Sequence, residues 1–254
     1  MEIEKNHIQA LNMLRKKVDF EIYNKKNSRT EPKEIFKQVT NLIGLFDDND
    51  INNKKLIDIG GANGSFCNYV RSKNRNIYLK NTDYNEKIIE SNLGILKKNK
   101  INYSVDDANS LSERSNFYDY VTSFGVTQIF DDFIPSFSEM IRIAKPGGII
   151  CNSILVNEKD VDVIIKYLEP GTKTPIPGWN KFSIQSISNY LKNNREVENY
   201  NFFKHKMPFD IKPKKDLMRS YTKYINGERL IWNDGLNMEI STYSILIKKS
   251  NFYK

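Results

Sequence analysis

Apolar residues recur at helical spacing near the start of the chain and predict one amphipathic helix there. Thr30 is placed to cap the N-terminus of this helix, and Pro32 suits its first turn. The polar run 47–50 would end the helix. We therefore expect residues 1–54 to form an N-terminal helical segment that packs on the core or covers a site. The apolar stripe consists of Ile35, Phe36, Val39, Leu42, Ile43 and Phe46.

The pattern changes at residue 55, where short apolar runs begin to alternate with amphipathic stretches. This alternation predicts βαβ crossovers, and hence a doubly wound, mostly parallel α/β sheet with helices on both faces. Asn85 and Ser183 would cap two of the helices. The extended stretches 197–203 and 239–248 would add an antiparallel strand pair at one edge, giving seven strands. The five runs predicted as parallel strands are 56–59, 76–80, 101–105, 118–124 and 149–155.

Residues 55–254 are predicted to be one domain of Rossmann-like architecture, because no repeat or linker divides them. Two irregular stretches, at about 156–182 and 204–237, are predicted to be insertions. Within the second, Asn226-Gly227 predicts a tight hairpin turn, since both residues tolerate a positive φ.

The composition is that of a soluble globular protein. The 254 residues suffice for one large α/β domain, and 39% of them are hydrophobic. The cysteines, Cys67 and Cys151, lack metal-ligand spacing and suit a reducing cytosol. The first residues are acidic, unlike a signal peptide, and the longest weakly polar run, 147–156, is too short to span a bilayer. We expect a cytoplasmic protein without membrane insertion and without a metal.

The charge balance is basic and uneven. The net charge is +8, and residues 151–254 hold 17 Lys/Arg against 11 Asp/Glu. Aromatic residues are interleaved with the cations in and around the stretch 204–219. This stretch would bind a phosphate, an acidic sugar or nucleic acid, or it is the solvated surface of a Lys- and Asn-rich protein.

A glycine-rich turn follows the first predicted strand, in the sequence Asp58-Ile59-Gly60-Gly61-Ala62-Asn63-Gly64. Glycines there let the backbone turn tightly and let a ligand approach closely. No frame supplies the Gly-x-Gly-x-x-Gly of dinucleotide-binding proteins, and a Gly-Lys-Ser/Thr phosphate loop is absent. Asp58 would repel a pyrophosphate and attract a cationic amino-acid group.

The pattern Asp58-x-Gly60-x-Ala62-x-Gly64 resembles the first motif of class I (Rossmann-like) S-adenosylmethionine-dependent methyltransferases, of the small-molecule type. That motif commonly has three alternating glycines after the acid, and Ala62 replaces the middle one. The resemblance implies S-adenosyl-L-methionine as cofactor and S-adenosyl-L-homocysteine as product. This cofactor carries an ammonium, a sulfonium and no phosphate, so an acid beside it is chemically suitable.

The later elements follow the order of the family. Asp83 ends the second strand, where the resemblance implies an acid that accepts both ribose hydroxyls. Asp106-Asp107-Ala108 resembles the step that contacts adenine, with Asp107 as the matching acid. Residues 117–121 and 139–148 resemble the fourth strand and the helix and turn before the fifth. The predicted cofactor site consists of Asp58, Gly60, Gly61, Ala62, Gly64, Asp83, Tyr84, Asp106, Asp107, Ala108 and Phe124.

Each element alone also has a purely structural interpretation. The turn 60–64 could be tight without a ligand, and Asp83 and Asp107 could cap helices. Asp119 is expected to be structural even within the family, and residues 145–148 to form a turn rather than a contact. Together and in this order, the elements favour the methyltransferase.

Some methyl acceptors are disfavoured by the sequence. Enzymes that methylate exocyclic base amines carry an Asn/Asp/Ser-Pro-Pro-aromatic step after the fourth strand, whereas this chain has Ser123-Phe124-Gly125-Val126. Methylation of pyrimidine carbon 5 needs a nucleophilic cysteine, and Cys67 and Cys151 are expected in the core. Asp131 and Asp132 would begin a helix rather than hold a catalytic metal.

The acceptor is predicted to lie against Gln128, Trp179, Arg219 and Tyr221. Gln128 lies just beyond the fourth strand and Trp179 between the fifth strand and the next helix, where the family often lines its acceptor pocket. His205 is the candidate general base, and a surface position between Lys204 and Lys206 is the alternative.

These features predict methyl transfer to an oxygen or nitrogen of a small molecule, such as a phosphate- or acid-bearing sugar, glycan or natural-product precursor. The insertions would form the acceptor side. Methylation of RNA is an alternative that the basic pI favours, and the lack of a separate RNA-binding module disfavours it. A binding protein that keeps the cofactor site without catalysis is a further alternative.

Overall fold

The structure, a computed structural model, describes residues 32–251 except 48, 74, 75, 169, 172 and 174. The described helices are α1 (Glu34–Leu42), α2 (Ser65–Lys73), α3 (Glu86–Lys98), α4 (Ile134–Ile143) and α5 (Ile184–Asn193). The described strands are β1 (Lys55–Ile59), β2 (Tyr78–Asp83), β3 (Ile101–Val105), β4 (Tyr118–Phe124), β5 (Ala144–Asn157), β6 (Lys166–Tyr167), β7 (Ile176–Pro177), β8 (Phe182–Ser183), β9 (Val197–Lys204), β10 (Tyr221–Ile225), β11 (Glu228–Asn233), β12 (Met238–Glu239) and β13 (Thr242–Lys249).

The central sheet has the strand order β3-β2-β1-β4-β5-β13-β9, and β8 pairs with the end of β5. Neighbouring strands among β1 to β5 are parallel, whereas β13 is antiparallel to both β5 and β9. The doubly wound parallel sheet and the antiparallel pairing at its C-terminal edge are therefore confirmed. Only β13 is reversed, so the edge strand β9 runs in the direction of β1 to β5.

Each face of the sheet carries its own hydrophobic core, because successive side chains of a strand point to opposite faces. Leu56 and Tyr120 belong to the core that contains buried residues of α1, α2 and α3. Ile57 and Val121 belong to the core formed with α4 and α5. Helices thus cover both faces, as the alternation of apolar runs predicted.

Helix α1 differs from its predicted bounds at both ends. Lys33 occupies the N-cap position, and the predicted cap Thr30 lies outside the described residues. The helix ends at Leu42, before the acidic run, and Gly44 follows with a φ of 60°. A left-handed residue just beyond a helix is a common way to end it, so a glycine and not the acids ends α1.

Several strands also differ from their predicted bounds, and β13, predicted as 239–248, is Thr242–Lys249. β2 begins at Tyr78 and reaches Asp83, because its parallel pairing with β1 starts at Lys55↔Tyr78. The predicted turn 145–148 lies inside β5 as a bulge, where Gly147 has a φ of 73° and the pairing with β4 shifts register. A bulge accommodates extra residues without ending a strand.

Several predicted local roles are confirmed. Ser183 caps α5, since its Oγ accepts a hydrogen bond from Ser186 N at 3.0 Å. Asp132 Oδ1 accepts from Ile134 N at 2.9 Å at the start of α4. Asp119 is structural, because its Oδ2 accepts from Lys55 N at 2.9 Å. Asn85 occupies the N-cap position of α3, but its side chain makes no capping hydrogen bond.

The two stretches predicted as insertions fold into small sheets apart from the central one. β6 pairs with β7 in the first, and β10, β11 and β12 form a three-stranded antiparallel sheet in the second. Asn226 and Gly227, with φ of 51° and 82°, join β10 to β11 and confirm the predicted hairpin turn. No helix within the described part of the chain has both the length and the apolar character needed to cross a bilayer.

Candidate functional site

The carboxyl ends of the parallel strands lie along one edge of the sheet, and the predicted cofactor residues follow them. The turn 60–64 follows β1, Asp83 ends β2, Asp107 follows β3 and Phe124 ends β4. β2 and β3 lie on one side of β1, and β4 and β5 lie on the other, so the strand order reverses between β1 and β4. Doubly wound sheets bind ligands in the crevice at such a switch point.

The turn 60–64 requires glycine for conformational and steric reasons. Gly60 and Gly64 have φ of 66° and 74°, which side chains other than glycine rarely adopt. A Cβ at Gly60 would also collide with Val126, and a Cβ at Gly64 would lie 2.6 Å from Leu96 Cδ2. The fold itself therefore demands these glycines, in addition to any benefit for a ligand that approaches the turn.

Ala62 has a φ of 47°, a left-handed conformation at the position where the family motif commonly has glycine. Alanine costs about 1 kcal/mol more than glycine in this region. Two hydrogen bonds hold it there: Ala62 N donates to Asp83 Oδ2 at 2.9 Å, and Ala62 O accepts from Asn81 Nδ2 at 3.1 Å. The departure from the motif is thus compatible with the turn.

Asp83 connects the end of β2 to the glycine turn. Its Oδ2 accepts from Ala62 N at 2.9 Å and its Oδ1 from Asn85 N at 2.8 Å. Each carboxylate oxygen can accept a second hydrogen bond, so Asp83 retains capacity for hydroxyl groups of a bound molecule. Burial raises the pKa of Asp83, and the two backbone N–H donors oppose that shift.

Asp58 is buried against the turn, with 1% of its surface exposed. Thr122 Oγ1 donates to its Oδ1 at 3.0 Å, and a Cβ on Gly61 would lie 2.6 Å from its Oδ2. Burial raises the pKa of Asp58 to about 8, while Thr122 and Lys33 oppose the shift. The charged acid expected from the sequence is therefore a carboxyl group that is largely protonated at neutral pH in the ligand-free protein.

The three residues that follow β3, Asp106, Asp107 and Ala108, have different surroundings. Asp106 braces the following loop, since its carboxylate accepts from Ser112 N at 3.0 Å and from Ser112 Oγ at 2.7 Å. Asp107 Oδ1 accepts from Asn109 N at 2.8 Å, and Ala108 is buried in the core on the α4 side. The carboxylates of Asp106 and Asp107 thus both brace the loop that follows β3.

Two aromatic residues of the predicted cofactor site take part in packing. Tyr84 packs, partly buried, against the core on the α4 side. The ring of Phe124 lies 4.9 Å from that of Phe36 in α1 and 4.8 Å from that of Phe66 in α2, measured between centroids. Helix α1 therefore packs beside the end of β4.

Gln128 lies in a short 3-10 helix, Thr127–Ile129, just beyond β4. Its Oε1 accepts from Leu155 N at 3.0 Å, which fixes the orientation of the amide. Nε2 lies 3.9 Å from the place of a Cβ on Gly125, and no described residue accepts a hydrogen bond from it. Gln128 therefore presents a hydrogen-bond donor beside the strand end.

Asn180 fastens the first insertion to the same strand end. Its N donates to Gln128 O at 3.0 Å, its Nδ2 donates to Phe130 O at 2.7 Å, and its Oδ1 accepts from Ile165 N at 2.7 Å. Trp179, the preceding residue, has a φ of 68°, which is strained for a side chain of that size. The structure therefore places the residue that follows Trp179 against the backbone of Gln128.

His205 follows β9 at the same edge of the sheet. Its Nδ1 lies 2.6 Å from Gln38 Oε1 of α1, and its backbone N donates to Thr242 O at 2.8 Å. Burial lowers the pKa of His205, and Glu34 opposes that shift. His205 is thus partly buried under α1 and is not the solvated surface residue of the alternative interpretation.

Arg219 and Tyr221 lie in the second insertion, whose sheet β10–β12 is separate from the central sheet. Arg219 Nε lies 3.2 Å from Asp216 Oδ2, and Tyr221 OH donates to Asp234 Oδ1 at 2.7 Å. Acids of the insertion, rather than groups at the strand ends, hold the polar ends of both side chains.

The sequence interpretation missed three polar residues at this edge: Asn81, Gln38 and Asn180. Asn81 is fully buried, and its Oδ1 has no partner among the described residues. A polar residue inside the predicted second strand would have been a signal had the strand been extended to Asp83. Gln38 gave no signal, because it occupies an ordinary polar position of an amphipathic helix.

Both cysteines are buried, and burial raises the pKa of each thiol, that of Cys151 to about 12. A thiol in this state is a poor nucleophile, so the expected core position is confirmed. In the described ranges, no three His, Cys, Asp or Glu side chains are grouped so that they could hold a metal ion.

Comparison with known protein families identifies a match for this chain. A family model described as a methyltransferase domain matches residues 29–194, more than half of the chain. No curated protein is significantly similar in sequence.

Solved structures share the fold at low sequence identity. A protein from Pyrococcus horikoshii OT3 is 14% identical with a TM-score of 0.53, and the match covers 91% of this chain and 99% of that one. The protein in the structure "Conversion of a Disulfide Bond into a Thioacetal Group during Echinomycin Biosynthesis" is 11% identical with a TM-score of 0.55, covering 93% of each chain. The match to the [4+2]-cyclase SpnF, 16% identical with a TM-score of 0.47, covers 65% of this chain and only 58% of that one.

Proposed function

Because the chain belongs to the class I S-adenosylmethionine-dependent methyltransferases, we propose that it transfers a methyl group to an oxygen or nitrogen of a small, acid- or phosphate-bearing molecule. The cofactor is S-adenosyl-L-methionine, with S-adenosyl-L-homocysteine as product. One observation carries the proposal: the hydrogen bond from Ala62 N to Asp83 Oδ2 joins the turn after β1 and the acid after β2 into one wall of the crevice.

The residues along this wall suit the cofactor. Asp83 would hold the ribose hydroxyls, because each of its oxygens keeps one acceptor position. The turn 60–64 would let the amino-acid part lie close to the backbone. Asp107 and Ala108 would contact the adenine, and Phe124 would border the site.

The cofactor supplies, when bound, a methyl group that its sulfonium has already activated. The chain therefore has to orient the acceptor and remove a proton from it, and orientation alone can contribute roughly 7–11 kcal/mol. Gln128 Nε2 would donate a hydrogen bond to the acceptor, and Trp179 would form an apolar wall beside it. His205 would take the proton.

An anionic acceptor is supported by the exposed cations of the second insertion. Lys204 is paired with Glu158 at 2.7 Å and Arg219 with Asp216 at 3.2 Å, so neither is available as an isolated charge. The remaining cations of the stretch, all of them exposed, are Lys206, Lys212, Lys214 and Lys215. One of the solved structures of similar fold is named for echinomycin biosynthesis, which agrees with a small-molecule acceptor.

The proposed compartment is the cytoplasm. Cys67 and Cys151 are both free, as is usual where thiols are kept reduced.

Calorimetry tests the cofactor assignment. We expect S-adenosylhomocysteine to bind the wild type, and Asp83→Asn to weaken binding about tenfold or more, since it weakens hydrogen bonds to a charged group. Asp106→Asn is the matched control, because Ser112 engages that carboxylate, and its affinity should stay within about threefold of wild type. Binding of NADH or ATP instead of S-adenosylhomocysteine would contradict the assignment.

Transfer of a labelled methyl group tests the acceptor class. The panel contains sugar phosphates, sugar acids, neutral analogues of both, and tRNA. We expect transfer to the anionic small molecules, and a raised KM when Lys212, Lys214 and Lys215 are all replaced by Gln. Transfer to tRNA with a steep salt dependence would replace the proposal by RNA methylation. Cofactor binding without transfer to any acceptor would favour a non-catalytic binding protein.

A further inference from the structure

Gln38 of α1 makes two hydrogen bonds to the segment that follows β9. Its Nε2 donates to Lys206 O at 2.7 Å, and its Oε1 lies 2.6 Å from His205 Nδ1. A carbonyl oxygen can only accept, so the group that faces Lys206 O has to be the amide nitrogen. The amide orientation of Gln38 is thereby fixed, and its oxygen is the atom that faces the histidine.

An amide oxygen facing a ring nitrogen determines where the proton of a neutral imidazole lies. Gln38 Oε1 is an acceptor, so Nδ1 of His205 has to be the donor and carries the hydrogen. In a neutral imidazole the other nitrogen then has a lone pair. No described residue forms a hydrogen bond with Nε2 of His205.

We infer that Gln38 is a positioning residue that holds His205 in the Nδ1–H tautomer, so that Nε2 is the atom that takes up a proton. This arrangement of a base whose second nitrogen is oriented by a neighbouring group is the one that general-base catalysis needs. The use of that proton in methyl transfer rests on the proposed function. The assignment of the tautomer is independent of it.

Charged groups near His205 come from two elements. Glu34 of α1 favours the protonated ring, and Lys204 and Lys206 flank the histidine in sequence. Lys204 is neutralised by Glu158 at 2.7 Å. Partial burial also favours the neutral ring. A neutral His205 at pH 7 is therefore expected, which is the state in which a tautomer is defined.

Long-range ¹H–¹⁵N NMR of histidine-labelled full-length protein tests the inference directly. The chain has two histidines, His7 and His205, so His205→Ala assigns both signals and His7 is an internal reference. We expect the wild-type His205 signals to show Nδ1–H at pH 7.5 and Nε2 as the nitrogen that becomes protonated on lowering the pH. The measurement needs no methyl acceptor, so it can succeed or fail independently of the proposed function.

Two substitutions test whether Gln38 fixes the tautomer of His205 or only holds α1 against the segment that follows β9. Gln38→Ala should let the ring exchange between tautomers, and Gln38→Glu should raise the pKa of His205 by about 1 while keeping Nδ1–H. Asn41→Ala, an exposed position on the same helix, is the matched control and should leave the signals unchanged. Circular dichroism checks that each variant is folded. An Nε2–H tautomer in the wild type, or an unchanged tautomer in folded Gln38→Ala, overturns the inference.

Discussion

Burial changes the acid–base chemistry of Asp58, a single side chain at the end of β1. The folded protein holds its proton up to about pH 8, whereas an unfolded chain releases it near pH 4. The stability that this proton contributes is complete below about pH 4 and is lost as the pH rises through 8. Between these limits, the free energy of unfolding should fall by up to about 1.4 kcal/mol per pH unit.

Asp58→Asn should remove this part of the pH dependence, because the amide mimics the protonated carboxyl group and cannot ionise. Urea unfolding followed by fluorescence at pH 5, 6 and 7 would show a flatter profile than wild type. Asp160→Asn, which removes an exposed carboxylate, is the control and should keep the wild-type slope. Equal slopes for wild type and Asp58→Asn would show that Asp58 is ionised in the folded protein.

Glycine at position 61 is required by its neighbours. A Cβ there would meet Asn81 Oδ1 and Asp58 Oδ2, so Gly61→Ala should lower the free energy of unfolding by about 1–3 kcal/mol. Gly94 lies in α3 with open space around it, and Gly94→Ala should instead raise stability by about 0.5–1 kcal/mol. Denaturant titration compares the two, and similar effects of both substitutions would argue against the crowding described at Gly61.

At the scale of elements, Asn180 holds the segment 163–181 onto the end of β4. Asn180→Ala would remove the hydrogen bonds that its side chain makes with Phe130 O and Ile165 N, each of which contributes about 0.5–1.5 kcal/mol. We expect hydrogen exchange of this segment to become at least about tenfold faster while that of β4 and β5 is unchanged. Asn189→Ala, at an exposed asparagine of α5, is the control. Faster exchange throughout the sheet would mean that Asn180 stabilises the whole domain rather than the segment.

Element types could be predicted from periodicity, whereas element boundaries depended on contacts distant in sequence. The bounds of β3 and β4 agree with prediction because β3 ends directly before the polar residues Asp106 and Asp107, and β4 is an apolar run that is mostly buried. β2 extends to Asp83 through polar residues, and only its pairing with β1 on one side and β3 on the other reveals this. The bulge at 145–148 likewise depends on pairing with β4.

The positions of the candidate site residues along the chain followed from the motif order, but their environments did not. Asp83 lies beside the turn, as expected for adjacent parallel strands. The burial of Asp58 and the contact of His205 with Gln38 involve helices and strands that are far apart in sequence. Spacing along one chain carries no information about such contacts, so charge and protonation at the site could not be predicted.

For the molecule as a whole, cofactor binding should appear as stabilisation. A ligand at about 100 times its dissociation constant adds about 2.7 kcal/mol to the free energy of unfolding, and for a domain of this size the melting temperature should rise by roughly 5–10 °C. Differential scanning fluorimetry with S-adenosylhomocysteine measures this rise. Asp83→Asn should show a smaller rise at the same ligand concentration, and an equal rise would contradict the proposed contact of Asp83 with the ribose.

The place of β13 has a consequence for biosynthesis. It lies between β5 and β9, although β9 precedes it in the chain by the whole second insertion. At about 5–20 residues per second, a ribosome needs roughly 2–8 s to make the residues that separate β9 from β13. Throughout that interval residues 149–155 of β5 lack the strand that will pair with them, and β9 lacks its neighbour, so the nascent chain carries an open hydrogen-bonding edge. Completion of the sheet is therefore a late event, and protection of that edge by a chaperone would matter most just before β13 is made.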